Sequence, residues 1–290
     1  MTHHLSLLFI VIGALGMTPD EKGTQMDNKI ACTTGGYGNC DLDRVLLGLA
    51  TAGFGYVELG VTPSAKRRIS PEQMDAAAIR DFQAKLAHYA LTPVSVSGHS
   101  DLAQPAGVEH FKTRIDFAVA LGVTIINTGT GHTVSPADEA RFFAHMTETI
   151  IPYAAARGVK IALETHGGLT GTAEDCWQTL QKLDSAWVGI NYDPANVLYY
   201  RGVRPEIDLH KIAPHVIHFH LKDQHGGQNV DDFPPLGEGD IDFAVLVDEL
   251  RQVNYTGPFS IELETKGIND PATEDEIRRN CRQFTEKLIR

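Results

Sequence analysis

The chain has 290 residues, 42% of them hydrophobic, and 25 Lys and Arg stand against 37 Asp and Glu for a formal net charge of −12. That length and apolar content supply a substantial core and exclude a disordered or collagen-like polypeptide, while a negative balance without strong basic clustering disfavours nucleic acid as a partner. The four cysteines, Cys32, Cys40, Cys176 and Cys281, show no CxxC spacing, which argues against a zinc knuckle or a dense disulfide framework and predicts reduced thiols.

Leu5 to Gly16 is a continuous apolar run, shorter than the roughly 20 residues a bilayer span needs. It has the character of the apolar segment of an export signal, although Met1 to His4 carries no Lys or Arg and Ala14-Leu15-Gly16 is only a passable cleavage site. A start codon assigned too early is the other reading, because Met26 opens directly into a strand. Residues 1–25 are therefore set apart as an N-terminal extension and residues 26–290 are taken as one folded domain. The expected location is the cytoplasm, or outside it if the extension acts as a signal. No later stretch is long and apolar enough to cross a membrane.

From Lys29 onward, short apolar runs alternate with amphipathic helical stretches, the rhythm of parallel strands joined by crossover helices. Eight strands are predicted: Lys29–Cys32, Gly55–Leu59, Thr92–Val96, Thr124–Asn127, Lys160–Glu164, Trp187–Tyr192, Val216–Lys222 and Phe259–Leu263. Helix starts are predicted at Asp41, at Ser70 before Pro71, at Ser135 before Pro136, and at Thr172 and Thr273. Gly53, Gly122 and Gly158 mark helix ends just before strands. Eight such units, with about 250 residues typical of the fold, predict an α/β protein built as a single (β/α)8 TIM barrel. The competing doubly wound sheet needs a GxGxxG turn after its first strand, and Thr33 to Gly38 lacks that spacing.

Chemistry in such a barrel sits at the carboxyl ends of the strands. The last four strands end on Glu164, Asp193, His220 and Glu262. With neighbouring strands about 4.8 Å apart, four such side chains can converge on one point, and charges gathered inside a barrel must be paired or bind a metal. Three carboxylates and one imidazole suit one divalent cation, Mn²⁺ first, with Mg²⁺, Co²⁺ or Zn²⁺ as alternatives. Strand parity places His218 on the same face as His220 but one layer deeper, in a supporting role, and gives Glu262 and Glu264 one shared face without choosing between them.

At these residues the chain resembles the xylose-isomerase-like barrel family of sugar isomerases and epimerases, which includes an apurinic-endonuclease branch. The resemblance runs from about Lys29 and rests on LET around Glu164, YDPAN around Asp193, HFHLKD around His220, PLGEGDIDF from Pro235 and YTGPFSIELE ending at Glu264. It implies that Glu164, Asp193, His220 and Glu262 ligate one cation, that Glu164 and Glu262 form the acid/base pair, and that Pro235 to Gly239 closes over the site. The endonuclease branch carries further zinc-binding histidines where this chain has Asn196 and Phe233, so a three-metal phosphodiesterase is not expected. Gly226, Asn196 and Thr170 stand where ketohexose epimerases carry sugar-contacting residues, which leaves the substrate open. Barrels of this kind often pair, so a homo-oligomer is compatible with the resemblance.

Glu58, His99, His166, Asn196, Lys222 and Asp223 are candidate contacts to a small hydroxylated substrate, with Asn127 and His132 as further polar residues at strand ends. Lys222 and Asp223 could equally pair with each other. The expected reaction is proton transfer beside a sugar-like carbonyl, giving epimerisation or isomerisation, with dehydration of a keto-inositol or similar keto-polyol as the alternative. A phosphodiesterase and a catalytically idle scaffold are the readings from other classes. The glycine turns Gly35-Gly36 and Gly129 to Gly131 are read as tight loops, not phosphate sites.

Overall fold

The computed structural model describes residues 26–61, 69–131, 135–264, 268 and 270–290. The apolar run of the N-terminal extension and His132 lie outside the described residues. Eight parallel strands close into one barrel, each paired with the next and the last with the first. They are β1 Ile30–Thr33, β2 Tyr56–Gly60, β3 Thr92–Ser97, β4 Ile125–Thr128, β5 Lys160–Glu164, β6 Val188–Tyr192, β7 Val216–Leu221 and β8 Phe259–Ile261. Every predicted strand is present, with ends shifted by a residue or two where the ladder stops.

Period-two alternation decides what each strand offers to each side. Val57, Leu59, Val96, Ile126, Ile161, Leu163, Ile190, Phe219 and Ile261 are buried beneath the helices. The intervening Glu58, Ser95, Asn127, Ala162, Glu164, Asn191, His218, His220 and Ser260 are buried as well, on the barrel interior. The upper interior is therefore polar where such barrels usually pack branched apolar side chains. Polar groups withdrawn from water in this way need partners, so this layer is where function is built.

The helices are α1 Leu42–Thr51, α2 Ala76–His88, α3 Pro105–Ala120, α4 Pro136–His145, α5 Ile151–Ala155 joined to α4 through a π turn, α6 Ala173–Leu183, α7 Pro194–Arg201, α8 Phe243–Gln252 and α9 Pro271–Leu288. Asp41, Ser135 and Thr172 cap α1, α4 and α6 through their side chains as expected. Two expected starts move. Ser70-Pro71-Glu72 begins only a single 3₁₀ turn, because Met74 returns to extended backbone, and α2 is capped five residues later by Asp75. Asp270 caps α9 by accepting from the backbone N–H groups of Ala272 and Thr273, which places Thr273 inside the helix. The barrel closes where β8 pairs with β1, and the segment before β1 is tied to the end of α9 where Met26 N–H donates to the Ile289 carbonyl at 3.1 Å. No described helix is long and apolar enough to cross a membrane.

The four cysteines are free thiols. Burial pushes Cys32 up to about 12 and Cys281 to about 11, and raises Cys176 further from the thiolate. Since the thiolate is the reactive form, alkylation of the native protein at pH 8 should modify the half-buried Cys40 first. The other three should react only on unfolding, a pattern that peptide mapping after iodoacetamide would check.

Candidate metal centre and active site

The four expected ligands do converge. Glu164, Asp193, His220 and Glu262 each offer a donor atom, and the four atoms lie within 4.8 Å of one another. Glu164 ends β5, Asp193 follows β6, His220 sits in β7 and Glu262 follows β8, held in register where its N–H donates to the Leu221 carbonyl. Glu164, Asp193 and His220 are buried, and 27% of the Glu262 side chain remains exposed.

Asp193 shows how local structure aims a ligand. Its side chain caps α7 by accepting from Asn196 N–H at 2.9 Å through Oδ1. Its backbone is pinned reciprocally to Thr165, whose Oγ1 donates to the Asp193 carbonyl at 2.9 Å and accepts from its N–H at 2.7 Å. The remaining Oδ2 is buried without a hydrogen-bond partner. A buried carboxylate oxygen left bare beside two other carboxylates is what a bound cation satisfies, so the donor set fits a divalent ion.

Glu164 is surrounded by donors. His99 Nε2 lies 2.8 Å from Oε2, Asn196 Nδ2 donates to Oε1 at 2.9 Å, and His166 Nδ1 stands 3.4 Å from Oε1. Gly129 N–H donates to His99 Nδ1 at 3.2 Å, which leaves the Nε2 proton of that ring to point at Glu164. Thr170 Oγ1 donates to the Glu164 carbonyl at 2.6 Å and so fixes the strand end. On the far side, Glu262 Oε2 lies 2.8 Å from His220 Nδ1 and Oε1 lies 3.5 Å from Lys222 Nζ. Lys222 also meets Glu264 at 2.6 Å and lies over the Phe233 ring.

These contacts set the charges. Burial works against the ionised form of Glu164, yet His99 and His220 hold it well below the usual carboxylate range. Glu262 pays the same desolvation cost, and Lys222 with His220 brings it down to about 2. For Asp193 burial prevails and the pKa is raised. Burial likewise disfavours the charged forms of His220 and Lys222, and the surrounding carboxylates outweigh it in both.

Of the expected substrate contacts, His99, His166, Asn196 and Lys222 border the site, whereas two occupy other places. Asp223 accepts backbone N–H bonds from Gln224, Gly237 and Gly239 at 2.9–3.0 Å, so it holds the loop that follows β7 and does not pair with Lys222. Glu58, expected at the rim, is fully buried one layer below His220. Sequence reasoning passed over Ser95, Asn191 and Arg114. The first two carried a signal, namely polar residues on the inward parity of strands. Arg114 did not, since it reaches from α3 to the His99 carbonyl at 2.6 Å, to Ser100 Oγ at 2.8 Å and to Glu72. Arg114→Met should displace the loop bearing His99 and lower kcat by about tenfold or more, which steady-state kinetics would show.

A cavity of about 600 Å³ opens beside Glu164, lined by His99, Ser100, Asp101, His110, Gly129 and His166 among others. A larger cavity of about 720 Å³ lies at the opposite end, among strand starts such as Lys29, Lys160 and Val216. The smaller one lies at the carboxyl ends of the strands, where chemistry in such barrels occurs, and meets the cluster through His99 and His166, which contact Glu164.

Comparison with known proteins agrees with this geometry. Residues 48–287 match the family model described as xylose isomerase-like TIM barrel. L-ribulose-5-phosphate 3-epimerase UlaE from Escherichia coli is 26% identical over 253 residues, spanning 82% of this chain and 87% of its own. Among solved structures, a xylose isomerase-like TIM barrel protein from Mycobacterium smegmatis in complex with magnesium superposes with a TM-score of 0.73 at 19% identity, covering 91% of this chain and 98% of that one. D-allulose 3-epimerase from Methylomonas sp. superposes at 0.69 with 18% identity and the same coverage. By the family model, and with the closed eight-stranded barrel already described, the chain belongs to the xylose isomerase-like TIM barrel family.

Proposed function

We propose that the protein is a divalent-metal-dependent epimerase or isomerase of a sugar or related polyhydroxy carbonyl compound, with Glu164 and Glu262 as the acid/base pair. The observation that carries this reading is the convergence of Glu164, Asp193, His220 and Glu262 within 4.8 Å, with Asp193 Oδ2 left bare among them. A cation held by these four, Mn²⁺ first and Mg²⁺, Co²⁺ or Zn²⁺ otherwise, would polarise the substrate carbonyl and acidify the neighbouring C–H. The epimerase activities named for the relatives support the sugar class.

The residues divide the remaining work. Glu164, with His99 against Oε2 and Asn196 donating to Oε1, would take a proton from the substrate carbon. Glu262, three strands further round the barrel and beside the Lys222 ammonium, is placed to return one. His99 directs its Nε2–H to Glu164 and so orients that carboxylate, while His166 lines the 600 Å³ cavity where substrate oxygens would lie. Asn196 holds Glu164, and Phe233 lies against Lys222 and Tyr199, so neither position supplies the further metal ligand that a three-metal phosphodiesterase needs.

The test combines elemental analysis of the purified protein with a panel of ketoses, aldoses and keto-inositols incubated in D₂O and followed by NMR. About one divalent ion per chain and deuterium entering beside a carbonyl are expected. A product that has lost water would move the assignment to a dehydratase. A well-folded sample with no cation and no exchange across the panel would overturn the reading.

A further inference from the structure

A second group of metal-capable side chains, Glu58, His218 and His220, lies beneath the four ligands and shares His220 with them. Glu58 is fully buried in β2. Its Oε1 lies 3.0 Å from His220 Nε2, and its Oε2 lies 2.8 Å from His218 Nε2 and accepts from Ser95 Oγ at 2.7 Å. His218 Nδ1 in turn lies 2.8 Å from Asn191 Oδ1. These are hydrogen-bond separations, and both Glu58 oxygens are engaged, so the group has the geometry of a support and not of a second ion site.

An imidazole presents two distinct nitrogens, and the one donating its proton to a carboxylate is not available to a cation. His220 turns Nε2 down to Glu58 and Nδ1 up to the site, where it is 2.8 Å from Glu262 Oε2, 3.7 Å from Asp193 Oδ2 and 3.8 Å from Glu164 Oε1. Turning the ring over would withdraw its Nε2–H from a carboxylate with no access to water. We propose that Glu58 is the positioning residue of the metal centre: it holds His220 by the Nε2–H, making Nδ1 the donor to the cation, and is itself fixed by His218 and Ser95. This rests on the cation site proposed above. It removes Glu58 from the substrate contacts and assigns it a role exerted through another side chain.

Zinc(II), which is diamagnetic, allows the role to be tested without activity. Calorimetric titration of metal-free wild type, Glu58→Gln and Ser95→Ala is paired with ¹⁵N NMR of the histidine rings in the zinc-loaded proteins. Glutamine has the same reach but only one acceptor oxygen, and its amide sets N–H groups against an imidazole N–H. The Glu58→Gln dissociation constant should rise about 10- to 100-fold, the range seen when such outer partners are removed, with a smaller rise for Ser95→Ala. In wild type, His220 should carry its proton on Nε2 and bind zinc through Nδ1. Wild-type zinc binding with an unchanged constant in folded Glu58→Gln would overturn the role of Glu58 alone, whereas a wild type that binds no zinc would overturn the cation site itself. If Glu58→Gln does not fold, the wild-type spectrum decides, and a His220 ring protonated at Nδ1 and bound through Nε2 overturns the proposal.

Discussion

Glu164→Gln and Glu262→Gln should each lower kcat for epimerisation by about 10²- to 10⁴-fold, the contribution typical of a positioned acid or base. The more telling result concerns isotope exchange, because a two-base reaction splits when one base is removed. The variant lacking the group that returns the proton should still wash deuterium into one epimer of the substrate without converting it, and the other variant should do so only from the opposite epimer. Each carboxylate is also a candidate ligand within the 4.8 Å cluster, so the assays belong at saturating cation with the metal content measured alongside. Loss of exchange from both epimers in both fully loaded variants would contradict the division of labour proposed for the pair. The asymmetry of their surroundings, His99 and Asn196 on Glu164 against Lys222 on Glu262, is the physical reason to expect the two variants to differ.

Asp223→Ala should destabilise the fold by about 3 kcal/mol or more, since hydrogen bonds to a charged acceptor contribute about 1.5–3 kcal/mol each and several backbone donors would lose theirs together. Gly237 and Gly239 N–H both converge on Oδ2, and Gln224 N–H on Oδ1. A Cβ on Gly239 would overlap the Asp223 carboxylate, so the loop and the acceptor are fitted to each other. Urea or thermal unfolding reads the loss. At temperatures where the variant is folded, KM should stay within a few-fold of wild type. A tenfold rise in KM without loss of stability would instead return Asp223 to the substrate contacts.

Strand parity is legible because it depends only on alternation, and the four proposed ligands are polar residues at the ends of the last four strands, although parity alone does not separate Glu262 from Glu264. Height within the barrel was not legible. Glu58 and Glu164 both read as acidic residues at strand ends, yet the stagger of a closed barrel sets Glu58 against Ser95 and Glu164 against Asn191, and these pairings decide that one lies beneath the site and the other in it. The displaced caps have a similarly local cause. Ser70 and Thr273 carry the right side chains, but Asp75 and Asp270 are the residues whose backbone stands extended just before the helical turn. Arg114 acts across the fold from a helix, where no periodicity announces it.

The order of the chain has a consequence for how the centre comes into being. Glu58, Ser95 and His99 lie on or just after β2 and β3, while the proposed ligands arrive from β5 onward, and the last, Glu262, follows the strand that seals the cylinder against β1. An amino-terminal fragment would thus hold the braces without the claws, and a carboxy-terminal fragment the reverse. Tight ion capture at the proposed centre would consequently be a property of the completed ring, and the moment at which a nascent or refolding chain first retains zinc would mark the closing of its final seam.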